Sequence, residues 1–403
     1  MSHPDRHILI YEPSVEGHHV GWLRYITEDL LHAGFQLTLA LDTRPAAMKR
    51  IAGQMAELLP RVKIIPAIAE KAAAAKTGSA AHVADCLEKS GAARVFLAHF
   101  NDLASPLLRR AAFGMMPEAS LRGRLGGIYL RPQFLTASAL SPNQAIKKLG
   151  FRRLLQNGWL NPLLFLDSGL FDVAREKYPA APIFFLADPY PENIFADRAA
   201  ARKQFNLPDD KFVLLFYGGG YKRKGLHLAV TAMRKLVAPG KAFLLCAGLQ
   251  PKNETLARDL ETLRAQGRAE IVNRYVSTEE EKQLFAACDA VLLPYLNHQG
   301  TSSVLACAAG AGKPVIASDE HFIGRTVRQY EMGLRFASGN VAQLQMAIQE
   351  IVAADRAKLA QWQAGAAAFG KTCSRSAFRF ALVAALENAT QLAYNKRAVM
   401  PAC

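Results

Sequence analysis

What most limits the fold of this 403-residue chain is an alternation that runs once along the sequence, breaks, and starts again. Short apolar runs closed by turn residues alternate with stretches whose apolar residues recur at helical spacing. The run HILIYEP ends in turn residues, and Trp22, Leu23, Ile26, Leu30 and Leu31 then fall on one helical face. Gly34 closes that helix and FQLTLALD follows as a second buried strand, which makes a βαβ unit. VKIIPAI, ARVFLAHF, LGGIYLRP, LLFLDSG and PIFFLADPYP continue the strands of the first half. The second series begins at Phe212 with FVLLFYGGG and proceeds through AFLLCAGL, AEIVNRYV, AVLLPY, PVIASD and GLRFA. Apolar strands separated by helices imply parallel sheets covered on both faces. The expected fold class is therefore α/β, with two doubly wound Rossmann-like domains facing a cleft.

The expected boundaries are an N-terminal domain over 1–187, a linker over 188–210, a C-terminal domain over 211–370 and helices over 371–403 that cross back to the first domain. The linker expectation rests on DPYPENIFADRAAARKQFNLPDDKF, which mixes proline and acidic residues with a short charged helix. The last helices are expected to cross back because no strand follows them.

Composition excludes several classes of function. With 51% hydrophobic and 21% charged residues, the chain is typical of a globular protein. No apolar run approaches the roughly 18 residues that span a bilayer, and no leader-like segment opens it, so a cytoplasmic location is expected. The six cysteines show no metal-ligand spacing and read as reduced thiols. The net charge of +15 points to anionic partners. From Ala119 to Leu166 there is no acid, while Arg122, Arg124, Arg131, Lys147, Lys148, Arg152 and Arg153 all occur. Peripheral contact with the inner face of a membrane through this 119–166 region is one expectation and an ordinary basic surface is the other. No nucleic-acid partner is expected, because charge alone supplies no recognition element.

In open α/β sheets ligands bind beyond the carboxyl ends of strands, so the loops there carry the candidate chemistry. Gly218, Gly219 and Gly220 follow a strand, and Lys222, Arg223 and Lys224 come next. Glycines let backbone amides approach an anion, and the cations add charge beside it. Further on, AVLLPY leads through LNHQGTSS into an Ala-rich helix. Backbone amides from Gly300 through Thr301, Ser302 and Ser303 to Val304 point out of that helix start, where the dipole favours negative charge. Together the two elements can clamp a diphosphate. Either one alone would read as a tight turn or an ordinary N-cap.

The order of strand, glycine turn, RKG, helix, then VNRYV, STEEEKQLFAACDAVLLPY and GTSSVLACAAGAGKPVIASD resembles the donor domain of GT-B glycosyltransferases, specifically the retaining family 4. The likeness runs over roughly 188–333. It implies transfer of a sugar from a nucleotide diphosphate sugar, a UDP- or GDP-sugar, to a saccharide or lipid-linked acceptor, with retention and without a metal. Polysaccharide biosynthesis is the implied setting. Lys224 matches the Lys-Gly lysine and is expected on the diphosphate. The family's arginine after the first glycine falls at Gly219, with Lys222 or Arg223 to stand in its place. Its two glutamates fall at Gln299 and Cys307, so neither carboxylate is present. The first implies a sugar contact and the second a ribose contact, with His298, Thr301 and Ser302 as other polar groups in the same loop. The resemblance also puts Gly17 at a helix start that admits an acceptor or sugar phosphate. His99 matches a histidine that faces the transferred sugar, although a lone histidine is often a core residue. Arg274 and Tyr275 lie at the base or on the rim.

Two other readings stay open from the sequence. One is a non-catalytic nucleotide-binding or scaffolding protein, favoured by the missing glutamates. The other is an epimerase of the same fold, which needs acid/base carboxylates such as Glu16 or Asp102.

Overall fold

Both halves of the chain form parallel sheets, and each sheet reverses its strand order at its centre. The computed structural model describes residues 6–16, 19–68, 79–136, 141–191, 196–236 and 239–399, with side chains of the last helix described through Ala389. Two compact units result, one formed by residues 1–186 and 379–403, the other by 187–378.

In the first unit β1 (His7–Glu12), α1 (His19–His32), β2 (Gln36–Asp42), α2 (Pro45–Met55), β3 (Lys63–Ile68), α3 (Ala80–Ser90) and β4 (Arg94–Leu97) build one wing. The other wing comprises α4 (Asn101–Ala112), β5 (Leu125–Tyr129), α5 (Pro142–Gln156), β6 (Leu160–Phe165), α6 (Ser168–Lys177) and β7 (Ile183–Phe185). The sheet order is β3-β2-β1-β4-β5-β6-β7, so the switch point lies between β1 and β4. All pairings in it are parallel. Strands β4, β5 and β6 are buried at every position, as expected for strands covered by helices on both faces.

The second unit holds α7 (Arg198–Gln204), β8 (Phe212–Tyr217), α8 (Leu226–Arg234), β9 (Ala242–Ala247), α9 (Glu254–Ala265), β10 (Ala269–Val272) and α10 (Thr278–Ala287). It continues with β11 (Ala290–Leu293), α11 (Ser303–Gly310), β12 (Val315–Ser318), α12 (His321–Tyr330), β13 (Gly333–Phe336), α13 (Val341–Ala353) and α14 (Arg356–Thr372). Its order is β10-β9-β8-β11-β12-β13, with the reversal between β8 and β11. At the start of α10, Ser277 and Glu280 form a reciprocal capping box.

The stretch expected as a linker differs from that reading. Residues from Ala187 onward belong to the second unit, and α7 packs on α10. The cause is Arg202, a fully buried side chain that donates to the carbonyls of Ala287, Pro208, Asp209 and Lys211 and pairs with Asp289 at 2.6 Å. A charged helix that looks like a solvated connector therefore hides one arginine inside a complete set of acceptors. At the other end, α15 (Arg375–Val399) joins the first unit from Arg379 on. Arg379 donates to the buried Asp29 at 2.7 Å, and the Asn161 amide donates to the Ala389 carbonyl at 3.3 Å.

The basic 119–166 region is partly structural. Arg124 donates to the carbonyls of Ala92 and Ala93, Arg153 to Ala112, and Arg122 to Asn157. Helix α5 packs on α4 and buries Phe151 and Leu154. These arginines serve the unit's own backbone, and the structure offers no support for a membrane contact there. No helix among the described residues is long and apolar enough to cross a membrane.

Candidate functional site

At the switch point of the second sheet, the loop after β8 and the loop after β11 are tied together. Gly218 has φ +108°, and a Cβ built on it would lie 2.4 Å from Lys224 Nζ, so the lysine ammonium rests directly over this glycine. The same ammonium sits 5.7 Å from the Tyr295 ring centre, a cation–π contact that helps to hold it. Residues Lys222–Lys224 form a single 3-10 turn, ended by Gly225 at φ +73°. A side chain at Gly225 would strike the Pro294 carbonyl at 1.8 Å, so only glycine lets this loop close on the end of β11.

Arg223 completes the link. Its carbonyl accepts from the Leu296 amide at 2.8 Å, and its guanidinium donates to His298 Nδ1. His298 Nε2 donates in turn to the Thr301 carbonyl at 2.9 Å. These two bonds require the neutral Nε2–H tautomer, which makes His298 a strut between the RKG turn and the start of α11. Ser302 caps α11 by accepting from Leu305 N at 3.3 Å, and the first-turn amides behind it face the crevice end of the sheet. An anion placed there meets a lysine and a helix N-terminus together, while the Gly218 and Gly220 amides are spent on the Ala247 and Leu249 carbonyls at 2.8 and 2.9 Å.

The remaining expected residues differ in their surroundings. Gln299 is exposed, whereas Cys307 is buried in α11 with its thiol pushed well above the usual range by burial. The place of the missing arginine at Gly219 is filled by the Tyr221 ring, which a Cβ there would meet at 2.8 Å. Gly220 packs against Gln250 and Pro251. Arg274 follows the edge strand β10 and is committed to Glu280 by a two-pronged bond at 2.9 and 2.5 Å, which holds that carboxyl down at about 2. Tyr275 is 76% exposed. Gly17 lies outside the described residues.

One group beside this loop, at the head of the second unit, escaped the sequence reading. Asp188 accepts from the Thr301 hydroxyl at 3.4 Å, while its Oδ1 is buried without a partner among the described residues. Burial, only partly offset by Thr301, raises its carboxyl from 3.8 to about 7. The unfolded chain gives up this proton first, so stability should fall between about pH 4 and 7 and level off above. Asp188→Asn is expected to raise unfolding free energy at pH 8 by about 1–2 kcal/mol and to leave it unchanged at pH 4. Urea unfolding at both pH values checks this, and equal effects would show that Asp188 is not held protonated.

The switch point of the first sheet carries a second cluster. His99, just beyond β4, is buried and donates from Nδ1 to Glu12 Oε2 at 2.5 Å. His19, at the start of α1, donates from Nδ1 to Glu12 Oε1 at 3.1 Å, and its ring centre stands 3.8 Å from that of His99. The Ser14 amide also donates to Glu12 at 3.0 Å. Glu12, at the carboxyl end of β1, was missed in the sequence. An acid closing a buried strand directly before a proline is the signal that marks it. Beside it lies a cavity of about 260 Å³ lined in part by Tyr11, Ser14, His99 and Asp102.

Burial alone would push the Glu12 carboxyl up, but the hydrogen bonds and charges of His19 and His99 bring it below its usual range. Burial likewise opposes the charge on His19, yet Glu12, Asp102 and Glu16 raise its value. The Asp102 carboxyl is raised by burial and by the Glu12 charge. Glu12, His19 and His99 offer ligand atoms within 4.8 Å of one another and are the one group among the described residues that could hold a metal ion. Their mutual hydrogen bonds also satisfy the buried carboxylate without one.

The His19–Glu12 pair makes a prediction about pH. A depressed carboxylate stabilises above its unfolded value of 4.5, and a raised histidine stabilises below its unfolded value of 6.5. The pair therefore contributes most between those values. Glu12→Gln is expected to cost about 1–2 kcal/mol near pH 5.5 and less at pH 8, measured by denaturant unfolding. A pH-independent loss would mean that the carboxylate acts only by its shape.

Comparison with known proteins agrees with this geometry. Residues 197–368, which include both loops of the second unit, match the family model for group 1 glycosyl transferases. No curated protein matches the chain. Among solved structures, Anabaena HepE in complex with UDP is 17% identical, with a TM-score of 0.65, over 97% of this chain and 100% of that one. Sucrose-phosphate synthase from Thermosynechococcus elongatus is 17% identical, with a TM-score of 0.65, over 98% and 100%. A glycosyltransferase from Rickettsia africae is 13% identical, with a TM-score of 0.67, over 96% and 99%. At these identities the likeness concerns the fold, two parallel-sheet α/β units of the GT-B kind.

Proposed function

We propose that this protein is a glycosyltransferase that moves a sugar from a nucleotide diphosphate sugar to a saccharide or lipid-linked acceptor. The observation that carries this reading is the tie between Lys224 over Gly218 and the amide-bearing start of α11, bridged by Arg223 and His298. Breaking the donor's glycosidic bond leaves a diphosphate whose charge grows in the transition state. A lysine and fixed backbone amides aimed at that charge lower the barrier without reorganising. The match of residues 197–368 to the group 1 model supports the same assignment.

The family 4 resemblance adds retention and a metal-independent departure of the diphosphate to this proposal. Gly218, Gly219 and Gly220 line the phosphate loop, Thr301 to Val304 supply amides, and Gln299 lies near the transferred sugar. The acceptor is assigned to the first unit. There the Nδ1–H of His99 is bonded to Glu12, which fixes the orientation of the ring beside the acceptor. UDP-sugars are the first donors to test, because the Anabaena structure of the same fold holds UDP.

The test is release of nucleoside diphosphate from a panel of UDP- and GDP-sugars, with and without saccharide acceptors, by wild type and Lys224→Ala. Turnover that depends on Lys224 is expected. The second reading, a nucleotide-binding protein without catalysis, is favoured by the lack of a carboxylate at both 299 and 307. It wins if nucleotides bind and no donor in the panel is consumed.

A further inference from the structure

A cavity of about 640 Å³ lies at the end of the first sheet opposite Glu12 and His99. Its walls come from the three segments that lead into β5, β6 and β7, within 122–124, 155–161 and 178–182. Glu12 and His99 stand at the carboxyl ends of β1 and β4, and every strand of the sheet runs parallel. With five residues in β5 and six in β6, about 16–20 Å of strand separates the cavity from that crevice.

The lining has one sign of charge. Arg122 and Arg124 contribute to it, and no carboxylate does among the described residues. Arg124 donates to the carbonyls of Ala92, Ala93 and Ser120, which ties its head to the backbone. Arg122 differs: its Nε donates to the Asn157 carbonyl at 3.1 Å, and the two terminal nitrogens of this exposed guanidinium stay open to an anion. On the buried side stands Asn161, which is 9% exposed. Its Nδ2 donates to the Ala389 carbonyl at 3.3 Å, while its Oδ1 is buried with no partner among the described residues. A buried acceptor left unpaired is unfavourable, and a hydroxyl donor on a ligand relieves it. Gln156 and Tyr178 add groups that both donate and accept, and the rest of the lining is apolar.

We infer that this cavity binds an anionic sugar, a phosphorylated or carboxylated monosaccharide, at a site separate from the proposed transfer chemistry. One open guanidinium calls for one anionic group. An unpaired acceptor beside groups that donate and accept calls for hydroxyls, and the apolar lining suits the C–H face of a sugar ring. The volume falls within the roughly 300–1,000 Å³ of small-molecule sites. The acid-free 119–166 stretch thus holds one specific anion site, with Arg122 on its exposed side.

Calorimetric titration of the full chain with glucose 6-phosphate, glucuronate, glucose and inorganic phosphate tests this. At least one of the two anionic sugars is expected to bind about 10-fold or more tightly than glucose and than inorganic phosphate. Preference for glucose 6-phosphate identifies a phosphorylated ligand, and preference for glucuronate a carboxylated one. Arg122→Ala should weaken that binding at least about 10-fold. Ala180→Trp, which fills the cavity from an exposed position, should abolish it. Both variants should keep the wild-type urea midpoint, and Lys224→Ala should leave the binding unchanged. Hydrogen exchange on wild type locates the ligand without any substitution, with added protection expected in 155–161 and 178–182. The inference is overturned if neither anionic sugar binds, if inorganic phosphate binds as tightly, or if protection appears only in the second unit. It also falls if Lys224→Ala removes the binding and Arg122→Ala does not. Donor turnover judges the transfer reaction separately, so that reading survives each of these outcomes.

Discussion

Arg202→Ala is expected to lower the unfolding free energy of the second unit by about 3–5 kcal/mol, the range for breaking a buried ion pair from one side. The side chain is 1% exposed and spends its donors on four carbonyls and Asp289. Its removal strands those acceptors and leaves Asp289 with the Arg198 guanidinium at 2.9 Å and the Val213 amide at 2.7 Å. Arg202→Lys should recover only part of the loss, because one ammonium cannot reach acceptors spread around a planar fork. Urea unfolding followed by circular dichroism measures both variants. A loss below about 1 kcal/mol in the alanine variant would mean that water replaces the guanidinium without penalty.

The second large effect is on binding. Lys224→Ala should weaken nucleoside diphosphate binding by about 1.5–3 kcal/mol, a factor of about 10 to 150, the cost of losing a charge-assisted hydrogen bond. Binding of the corresponding nucleoside should change little, because Lys224 sits over the glycine loop proposed to face the phosphates. Titration of wild type and variant with both ligands separates the two effects. Equal losses on nucleoside and diphosphate would move Lys224 off the phosphates and remove the main support for the proposed chemistry.

Features with a local cause could be read from the sequence. The strands of both sheets announce themselves as short apolar runs, the Ser277–Glu280 cap follows from spacing, and Gly225 follows a lysine where the chain must reverse. The glycine loop after β8 and the start of α11 were legible for the same reason, since each is a contiguous segment. What escaped depends on partners far apart in sequence. Glu12 meets His99 across 87 residues, and Arg202 meets Asp289 across the same separation. Glu281 looked like one more helix-start acid until the fold set its Oε1 4.0 Å from Cys307 Sγ. In the basic 119–166 region the charges were visible, but the carbonyls that occupy three of its arginines were not.

The course of α15 bears on how the protein is made. The second unit is one uninterrupted stretch from Ala187 to Phe378 and can complete its core as soon as that stretch is available. The first unit cannot, because Asp29 waits for Arg379, 350 residues later. Until α15 arrives, the surface that receives Leu382, Leu386 and Ala389 stays wet, although every β-strand of that unit has long been present. Contacts this distant are slow to close, and the half-finished unit exposes apolar surface for the whole interval. The C-terminally encoded unit should thus reach its native state before the N-terminally encoded one, and chaperone dependence should fall on residues translated first.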